Sequence, residues 1–256
     1  MIAVTSRDNP HVKAAVRLRD AAGTRAPGMF FLEGFRLCAD ALASCYAPRQ
    51  VFLTAAAREK YDTAPLERAA GQVFGITGAV AEKLGDTKNP QGVFGVFEKQ
   101  EAQEFWRPKG RYTALENIQD PGNLGAIART AEAFGIDGLL VSGGCDVFHP
   151  KALRASMGAL LRLPVAQTQD LPAELRASKL PCYAAVPDRE ARSVLDCDFS
   201  RGGVIVIGSE AHGISEEVIA VCEHKITVPM PGGAESLNAA AAAAILMWEM
   251  VKAIDN

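Results

Sequence analysis

Short apolar runs alternate with segments of helical periodicity along most of this chain. In its first part, apolar runs of strand length predict strands at Phe30–Leu32, Gln50–Leu53 and Val93–Phe97. Apolar residues at helical spacing predict helices at Pro10–Asp20 and Gly34–Ser44, with further helical stretches near Leu66 and near Val80. The alternation stops between Glu98 and Lys109, where polar residues and a proline predict a linker.

The alternation resumes after this linker. Strands are predicted at Tyr112–Glu116, Gly138–Val141, Arg162–Val165, Cys182–Ala185, Gly203–Ile207 and His224–Val228. Helices are predicted at Leu124–Phe134, Pro150–Met157, Leu171–Ala177 and Ser236–Ile254. Strands that alternate with helices in this way favour an α/β fold in which helices cover both faces of a parallel sheet. We therefore expect two domains, residues 1–105 and residues 106–256.

The composition of the 256 residues is that of an ordinary globular protein, with 48% hydrophobic and 22% charged residues. The net charge of −3 excludes a uniformly basic protein, but a local basic patch can still bind nucleic acid. The chain shows neither a signal-like opening nor an apolar run of membrane-spanning length, and its six cysteines lack metal-ligand spacing. We therefore expect a cytoplasmic protein without a metal site and without a membrane partner.

Three glycine-containing turns follow predicted strands in the second part, at the end of a parallel sheet where ligands bind. In the first turn, Pro121 and Gly122 precede Asn123, which is predicted to cap the next helix. Arg129 lies one to two turns further along this otherwise apolar helix. Two interpretations of this arginine stay open: an ordinary solvated side chain, or a cation that binds a phosphate or stabilises developing negative charge.

The second turn follows the predicted buried strand that ends at residue 207. Gly208 allows a ligand to approach the backbone closely, and Glu210 projects from the turn. Glu210 is either a solvated carboxylate or a functional one, and His212 is either an exposed histidine or a general base. Gly213 permits a second bend, and Ser215 is typical of a helix start.

The third turn is stiffened by Pro229 and Pro231, which keep it extended and deny it sheet hydrogen bonds. The pair Gly232–Gly233 permits a tight reversal, and Ser236 is predicted to cap the last helix. Asn238 can direct its amide back into the loop. The alanine-rich helix that follows is expected either to pack in the core or to form an oligomer contact.

Taken together and in this order, the three turns resemble the motifs of the SpoU (TrmH-like) branch of the SPOUT superfamily of RNA 2′-O-ribose methyltransferases. The matching residues are Asn123 and Arg129 in the first motif, Gly208, Glu210 and Gly213 in the second, and Val228, Pro229, Met230, Gly232, Ser236, Leu237 and Asn238 in the third. The resemblance is strong from Leu115 to about Met250. The first part is more loosely similar to the small α/β substrate-binding domain of many members.

This resemblance implies a parallel sheet with a deep trefoil knot and S-adenosyl-L-methionine as the cofactor. The expected backbone contacts to the cofactor are Gly208, Val228 and Leu237, with Met230 as a fourth. The expected catalytic set is Arg129 with Asn123, Glu210, Ser236 and Asn238. Because an arginine is effectively never deprotonated, we expect Arg129 to hold an RNA phosphate and to stabilise the developing alkoxide. The other four residues would position Arg129 and the ribose.

The resemblance also implies the partners: structured RNA, ribosomal RNA in preference to transfer RNA, and a second copy of the chain bound through the knotted domain. No DNA partner is expected. The candidate phosphate contacts, each of which is otherwise an ordinary solvated cation, are Arg7, Lys13, Arg17, Arg19, Arg25 and Arg154.

Two other functions remain possible on this sequence. The first is a non-catalytic RNA-binding protein that kept the same scaffold, against which the complete set of polar motif residues argues. The second is a nucleotide-dependent enzyme on an unknotted α/β fold, against which the absence of phosphate-loop and dinucleotide fingerprints argues.

Overall fold

The computed structural model describes residues 1–20, 28–100, 105–232 and 234–252. The chain forms two compact units, the first made of Met1–Glu101 with Asp146–Arg162 and the second of Ala102–Cys145 with Leu163–Asn256. The expected division at residues 105 and 106 stays a prediction, and the structure adds that Asp146–Arg162 lies in the first unit. Residues 101–104 of the predicted linker lie outside the described residues.

The bounds of the elements are as follows. Up to residue 98 they are β1 (Ile2–Val4), α1 (Pro10–Asp20), β2 (Met29–Glu33), α2 (Phe35–Ala43), β3 (Pro48–Thr54), α3 (Ala55–Lys60), α4 (Ala64–Ala69), β4 (Gln72–Ile76), α5 (Gly78–Leu84) and β5 (Val93–Glu98). From residue 111 to 185 they are β6 (Arg111–Glu116), α6 (Pro121–Ala133), β7 (Gly138–Ser142), α7 (Pro150–Ala155), α8 (Ala159–Arg162), β8 (Val165–Thr168), α9 (Leu171–Ser178) and β9 (Cys182–Ala185). The remainder are β10 (Arg192–Ser193), a 3₁₀ turn (Val194–Asp196), β11 (Gly203–Ile207), α10 (Glu216–Ile219), β12 (His224–Thr227) and α11 (Ala239–Val251).

The sheet of the first unit is mixed, in the order β1-β4-β3-β5-β2. Strand β5 runs antiparallel to both of its neighbours, β2 and β3, whereas β3, β4 and β1 pair in parallel. Strands β1 and β4 were not predicted from the sequence, because β1 has only three residues and Gly75 interrupts the apolar run of β4. The core on one face is rich in phenylalanine and includes Phe31, Phe52, Phe74 and Phe94.

The sheet of the second unit is parallel at every pair, in the order β10-β12-β9-β11-β6-β7-β8. Alternate residues of its central strands, such as Tyr112 and Val204, pack on α9 and α10 through Leu175 and Val218. Helices α6 and α11 contact each other, and α11 also contacts β11. Neither helix contributes residues to the core cluster that contains α9 and α10, so α6 and α11 lie on the opposite face of the sheet. The predicted parallel sheet with helices on both faces is thus confirmed, while the knot stays a prediction.

The predicted caps of α6 and α11 are wrong. Asp120, not Asn123, caps α6, because Pro121 suits the first helical position and the Asp120 carboxylate accepts from the backbone N–H of Asn123 at 3.0 Å. Asn238, not Ser236, caps α11, since its side-chain oxygen accepts from the backbone of the first helical turn. The predicted last residues of this helix, 253 and 254, lie outside the described residues, as does Gly233 of the preceding loop.

Two further boundaries differ from the sequence-based prediction. The strand predicted to begin at Arg162 begins at Val165, since Arg162 ends α8 instead. The helix predicted at Pro150–Met157 ends at Ala155, after which Met157 adopts a positive φ of 52° that breaks the helical path.

Candidate active site

Three polar side chains from the three predicted motifs form one hydrogen-bonded chain in the second unit. The side-chain amide of Asn238 donates to the side-chain oxygen of Asn123 at 3.1 Å. The side-chain amide of Asn123 in turn donates to the carboxylate of Glu210. Because β6 and β11 are parallel neighbours, their carboxyl ends meet, and this brings the turns after the two strands together.

The donor-to-acceptor direction of these hydrogen bonds is set at Asn238. The side-chain oxygen of Asn238 is already occupied, because it accepts from the backbone N–H groups of Ala240 at 3.0 Å and Ala241 at 3.3 Å. Only the NH₂ group of Asn238 is left to face Asn123, whose oxygen must therefore accept. The NH₂ group of Asn123 then points at Glu210, whose side-chain oxygen accepts from it.

A cavity of about 470 Å³ lies beside these hydrogen-bonded side chains in the second unit. All four predicted cofactor residues line it: Gly208, Val228, Met230 and Leu237. The predicted catalytic residues Glu210 and Ser236 line it too, and Glu210 therefore belongs to both the cavity and the hydrogen-bonded chain. Its volume lies within the range of roughly 300–1,000 Å³ that is typical of small-molecule sites.

Several apolar residues that line this cavity were not predicted from the sequence. They are Ala185, Val186 and Pro187 at and just after the end of β9, Ile226 near the end of β12, and Ala239, Ala242 and Leu246 on α11. A strand end followed by a proline was a usable signal for the first group. The α11 residues had none, because small and apolar residues on a helix look the same whether they face a ligand or the core.

The turn after β11 closes on itself. The backbone N–H of Ser209 donates to the carbonyl of Gly213 at 3.2 Å, and the N–H of Gly213 donates back to the carbonyl of Ser209 at 2.9 Å. The Ser209 hydroxyl accepts from the N–H of His212 at 3.2 Å. A Cβ atom on Gly208 would overlap the carbonyl group of Gly213. Gly208 is thus required by the turn itself, in addition to any ligand that approaches it.

Arg129 is not part of the hydrogen-bonded chain. It lies on α6, six residues after Asn123 and so about 9 Å further along the helix axis. Its side chain is exposed, and within the described residues it has no hydrogen bond or ion pair. Arg129, Asn123 and Asn238 do not line the cavity. The structure therefore leaves Arg129 as an exposed cation available to an anionic partner.

One polar residue beside the site was not predicted. Glu116, the last residue of β6, accepts hydrogen bonds from the backbone N–H of Ser215 at 2.9 Å and from its hydroxyl at 2.7 Å. Ser215 caps α10, which confirms the helix start predicted there. The available signal was a carboxylate at the carboxyl end of a buried strand, although nothing in the sequence pointed to its partner.

Most candidate phosphate contacts of the first unit already have protein partners. Arg7 pairs with Glu82 at 2.7 Å, and Lys13 pairs with Asp8 at 2.8 Å. Arg19 donates to the last carbonyls of α5, including that of Leu84 at 3.0 Å. These contacts weaken the prediction of a free basic patch around α1.

The other candidates differ among themselves. Arg154 pairs with Asp86 at 2.7 Å. Arg17 is exposed and has no hydrogen bond or ion pair with the residues that the structure describes. Arg25 lies outside the described residues.

The residues that the structure describes contain neither a helix suited to a bilayer nor a cluster of metal ligands. No helix there is both long enough and apolar enough to span a bilayer. No group of three or more histidine, cysteine, aspartate and glutamate side chains in the same ranges is arranged to hold a metal ion.

Comparison with known proteins gives consistent matches over nearly the whole chain. Residues 111–248 match the model of the SpoU rRNA Methylase family, and residues 9–95 match that of an MRM3-like substrate binding domain. An uncharacterized tRNA/rRNA methyltransferase of Synechocystis sp. is 35% identical over 256 residues, which cover 96% of this chain and 92% of the relative. The 23S rRNA (guanosine(2553)-2′-O)-methyltransferase RlmP of Bacillus subtilis is 28% identical over 251 residues, which cover 96% and 98%.

A solved structure is similar over the same extent. The AdoMet-bound rRNA methyltransferase from Sinorhizobium meliloti has a TM-score of 0.83 at 30% identity, covering 97% of this chain and 96% of that one.

Proposed function

Because this chain belongs to the SpoU rRNA methylase family, we propose that its second unit binds S-adenosylmethionine in the cavity beside Glu210 and methylates a ribose 2′-hydroxyl of ribosomal RNA. The observation that carries this proposal is the double position of Glu210. Its carboxylate ends the hydrogen-bonded chain that starts at Asn238, and the same residue lines the cavity. One residue thus joins the predicted catalytic set to the predicted cofactor set.

The residues of the cavity suit this cofactor. Gly208, Val228 and Leu237 offer backbone N–H and C=O groups, while Ile226 and Leu246 offer apolar walls. Such a lining, mostly apolar with a few placed polar groups, fits a molecule that carries an aromatic base and a charged tail. The S. meliloti relative was solved with AdoMet bound. When bound, the cofactor supplies an electrophilic methyl group on a sulfonium.

The residues of the protein orient the ribose and favour loss of the 2′-hydroxyl proton. The exposed guanidinium of Arg129 has five N–H donors and binds phosphates in a fixed geometry. Arg129 holds an RNA phosphate and stabilises negative charge on the 2′-oxygen, and it does not act as the base. Asn123, Glu210 and Asn238 hold the turn after β11 in place, while Ser236 faces the cavity and orients the ribose.

The partners and location follow from the same family. The B. subtilis relative is named for 23S rRNA, which supports ribosomal RNA over transfer RNA as the substrate. The exposed apolar residues Ile245 and Trp248 on α11 support a homodimer formed through the second unit. Bacterial relatives of this kind support a cytoplasmic location.

Replacing Arg129 tests the proposed function. Arg129→Ala should lower the rate of methyl transfer by about 10²–10³-fold, since it removes a charge that acts mainly in the transition state. The dissociation constant of S-adenosylmethionine, measured by calorimetry, should stay within about threefold, because Arg129 does not line the cavity. The RNA substrate is total RNA from a strain that lacks the gene, with tritium transfer as the readout.

Arg176→Ala is the matched control, since it removes an exposed helical arginine on α9. Unchanged transfer by Arg129→Ala would refute the role of Arg129. A wild-type chain that fails to bind S-adenosylmethionine would refute the proposed function and favour the non-catalytic alternative.

A further inference from the structure

Glu116 and Ser215 form a two-point contact between the end of β6 and the start of α10. The two carboxylate oxygens of Glu116 accept separately, one from the backbone N–H of Ser215 at 2.9 Å and the other from its hydroxyl at 2.7 Å. The Ser215 hydroxyl also accepts from the N–H of Val218 at 3.4 Å, so it links Glu116 to the first turn of α10. Both bonds to Glu116 are charge-assisted and therefore stronger than hydrogen bonds between neutral groups.

This contact sits at one end of a segment that faces the cavity. Every residue from Gly208 to Ile214 lines it, and Ser215 follows directly. Strand β11 fixes the other end of the segment, at residue 207. We call the segment from residue 208 to residue 214 the cavity loop.

Few hydrogen bonds tie the cavity loop to the rest of the second unit. Among the described residues, the backbone pairs between Ser209 and Gly213 and the contact from His212 to the Ser209 hydroxyl are internal to the loop. The bond from Asn123 to Glu210 leaves the loop near its middle, and the Glu116–Ser215 contact holds the chain just after it. The buried side chain of Ile214 adds an apolar anchor. Both hydrogen-bonded anchors come from the segment that runs from β6 into α6.

We propose that Glu116 is a positioning residue, whose carboxylate sets the distance between the cavity loop and β6 and thereby sets the affinity for S-adenosylmethionine. This inference rests on the proposed function, because it assigns the cavity to that cofactor. Without the Glu116 carboxylate, the described residues hold the end of the loop at Ile214 by apolar packing and by the short helix α10. The backbone groups of the loop then lose their fixed position in the cavity wall.

The test compares four variants of the full chain. Glu116→Ala removes both acceptors and should raise the dissociation constant and the KM of S-adenosylmethionine by at least about tenfold, since the loss of even one hydrogen bond to a charged group changes an equilibrium constant by about that factor. The KM for RNA should stay unchanged. Glu116→Gln keeps an acceptor for the N–H and gains a donor for the hydroxyl oxygen, so it should restore affinity to within about threefold of the wild type. Ser215→Ala should give an intermediate effect, and Glu116→Ala/Ser215→Ala no more than Glu116→Ala alone.

Glu217→Ala is the matched control, because it removes an exposed carboxylate from the first turn of α10 without breaking a hydrogen bond in the described structure. It should leave cofactor affinity as in the wild type. If Glu116→Ala fails to fold, the comparison of Ser215→Ala with Glu217→Ala decides.

Two outcomes would overturn the inference while the proposed function stands. The first is a wild-type chain that binds the cofactor while Glu116→Ala, or Ser215→Ala where the former does not fold, binds it equally well. The second is a Glu116→Gln variant as impaired as Glu116→Ala. Failure of the wild type to bind S-adenosylmethionine would instead refute the proposed function itself.

Discussion

The side-chain oxygen of Asn123 accepts a hydrogen bond at 3.1 Å from the side-chain amide of Asn238, a residue 115 positions further along the chain. Asn238 is also the cap of α11, so the same side chain starts a helix and orients Asn123. This contact also sets the direction of the next hydrogen bond, because the NH₂ group of Asn123 is then left to donate to the Glu210 carboxylate. Helix capping and site geometry are thus coupled through one asparagine.

The direction of the hydrogen bond between Asn123 and Glu210 can be tested by exchanging the amide and the carboxylate between the two positions. Asn123→Asp places a second carboxylate against Glu210 while it still accepts from Asn238, so only one link is broken. We expect methyl transfer to fall by about 10²-fold or more, since like charges in contact displace the cavity loop. The double variant Asn123→Asp/Glu210→Gln restores one amide and one carboxylate with the polarity reversed.

The double variant should recover much of the cofactor affinity and thermal stability that Asn123→Asp loses, which a double-mutant cycle measures. Asn89→Asp is the control, since it makes the same change at an exposed asparagine of the first unit. Equal losses in the single and double variants would mean that the two side chains do not act as a pair.

The sequence predicts where the site lies but not which of its side chains form hydrogen bonds with each other. The glycine turns after buried strands placed Asn123, Glu210 and Asn238 at one edge of the sheet, because parallel strands end on the same side. Local spacing misassigned the caps, since Asn123 and Ser236 have the same cap chemistry as the true caps nearby. Glu116 was missed because its partner lies 99 residues away, and only the folded sheet brings the two together.

The first unit was harder to predict from the same kind of pattern. Its antiparallel strand β5 follows a helix, an order that gave no indication of strand direction. The segment Asp146–Arg162 lies far along the chain, yet Phe148 packs against Phe30 with the two rings tilted and their centroids 4.4 Å apart. Its position in the sequence predicts that this segment belongs to the second unit. The packing of apolar side chains such as Phe148 places it in the first unit instead.

Gly208→Ala should disrupt the cavity loop. The added Cβ would overlap the carbonyl of Gly213, and backbone atoms cannot move aside as a flexible side chain can. We expect a loss of about 1–3 kcal/mol in the free energy of unfolding, together with loss of measurable S-adenosylmethionine binding. Gly232→Ala is the control in the neighbouring turn, because a Cβ there meets no atom within 4 Å. Calorimetry that shows equal cofactor affinity in the two variants would contradict this account of Gly208.

The free energy of unfolding should fall at alkaline pH because several thiols and a tyrosine hydroxyl are removed from water in the folded chain. Burial raises the pKa of the Cys222 thiol to about 12 and that of Cys182 to about 11, from an ordinary value of 9.0. Burial also raises the pKa of the Cys38 thiol and of Tyr46. Below pH 9 both the folded and the unfolded chain keep these protons, so their contribution to stability is fully present there.

Above pH 9 the unfolded thiols ionise first, and this stabilises the unfolded chain until the folded thiols ionise as well. The urea midpoint should therefore drop from about pH 9 to about pH 12, the range between the ordinary thiol pKa of 9.0 and the raised pKa of Cys222. Cys222→Ser should flatten that slope, whereas Cys45→Ser, at an exposed thiol, should leave it unchanged. Identical slopes in both variants would show that Cys222 does not titrate with unfolding.

The proposed homodimer makes a prediction about the exposed side of α11. Ile245 and Trp248 are 38% and 52% exposed, and they share one face of the helix because they lie three residues apart. Leu195, 60% exposed, belongs to the 3₁₀ turn that contacts α11. Burying these side chains against a second copy would remove apolar area from water, which is the main driving force of association. A charge at the same place would have to be desolvated without a partner.

Trp248→Glu and Ile245→Lys should therefore shift the chain from twice its 27.2 kDa mass to the single-chain mass in light scattering at micromolar concentration. Ile2→Lys is the control, since it places a charge on an equally exposed apolar residue, 52% accessible, of the first unit. Circular dichroism would confirm that each variant keeps its helices. Variants that keep the double mass, or a wild type that already has the single-chain mass, would exclude this face of α11 as the dimer contact.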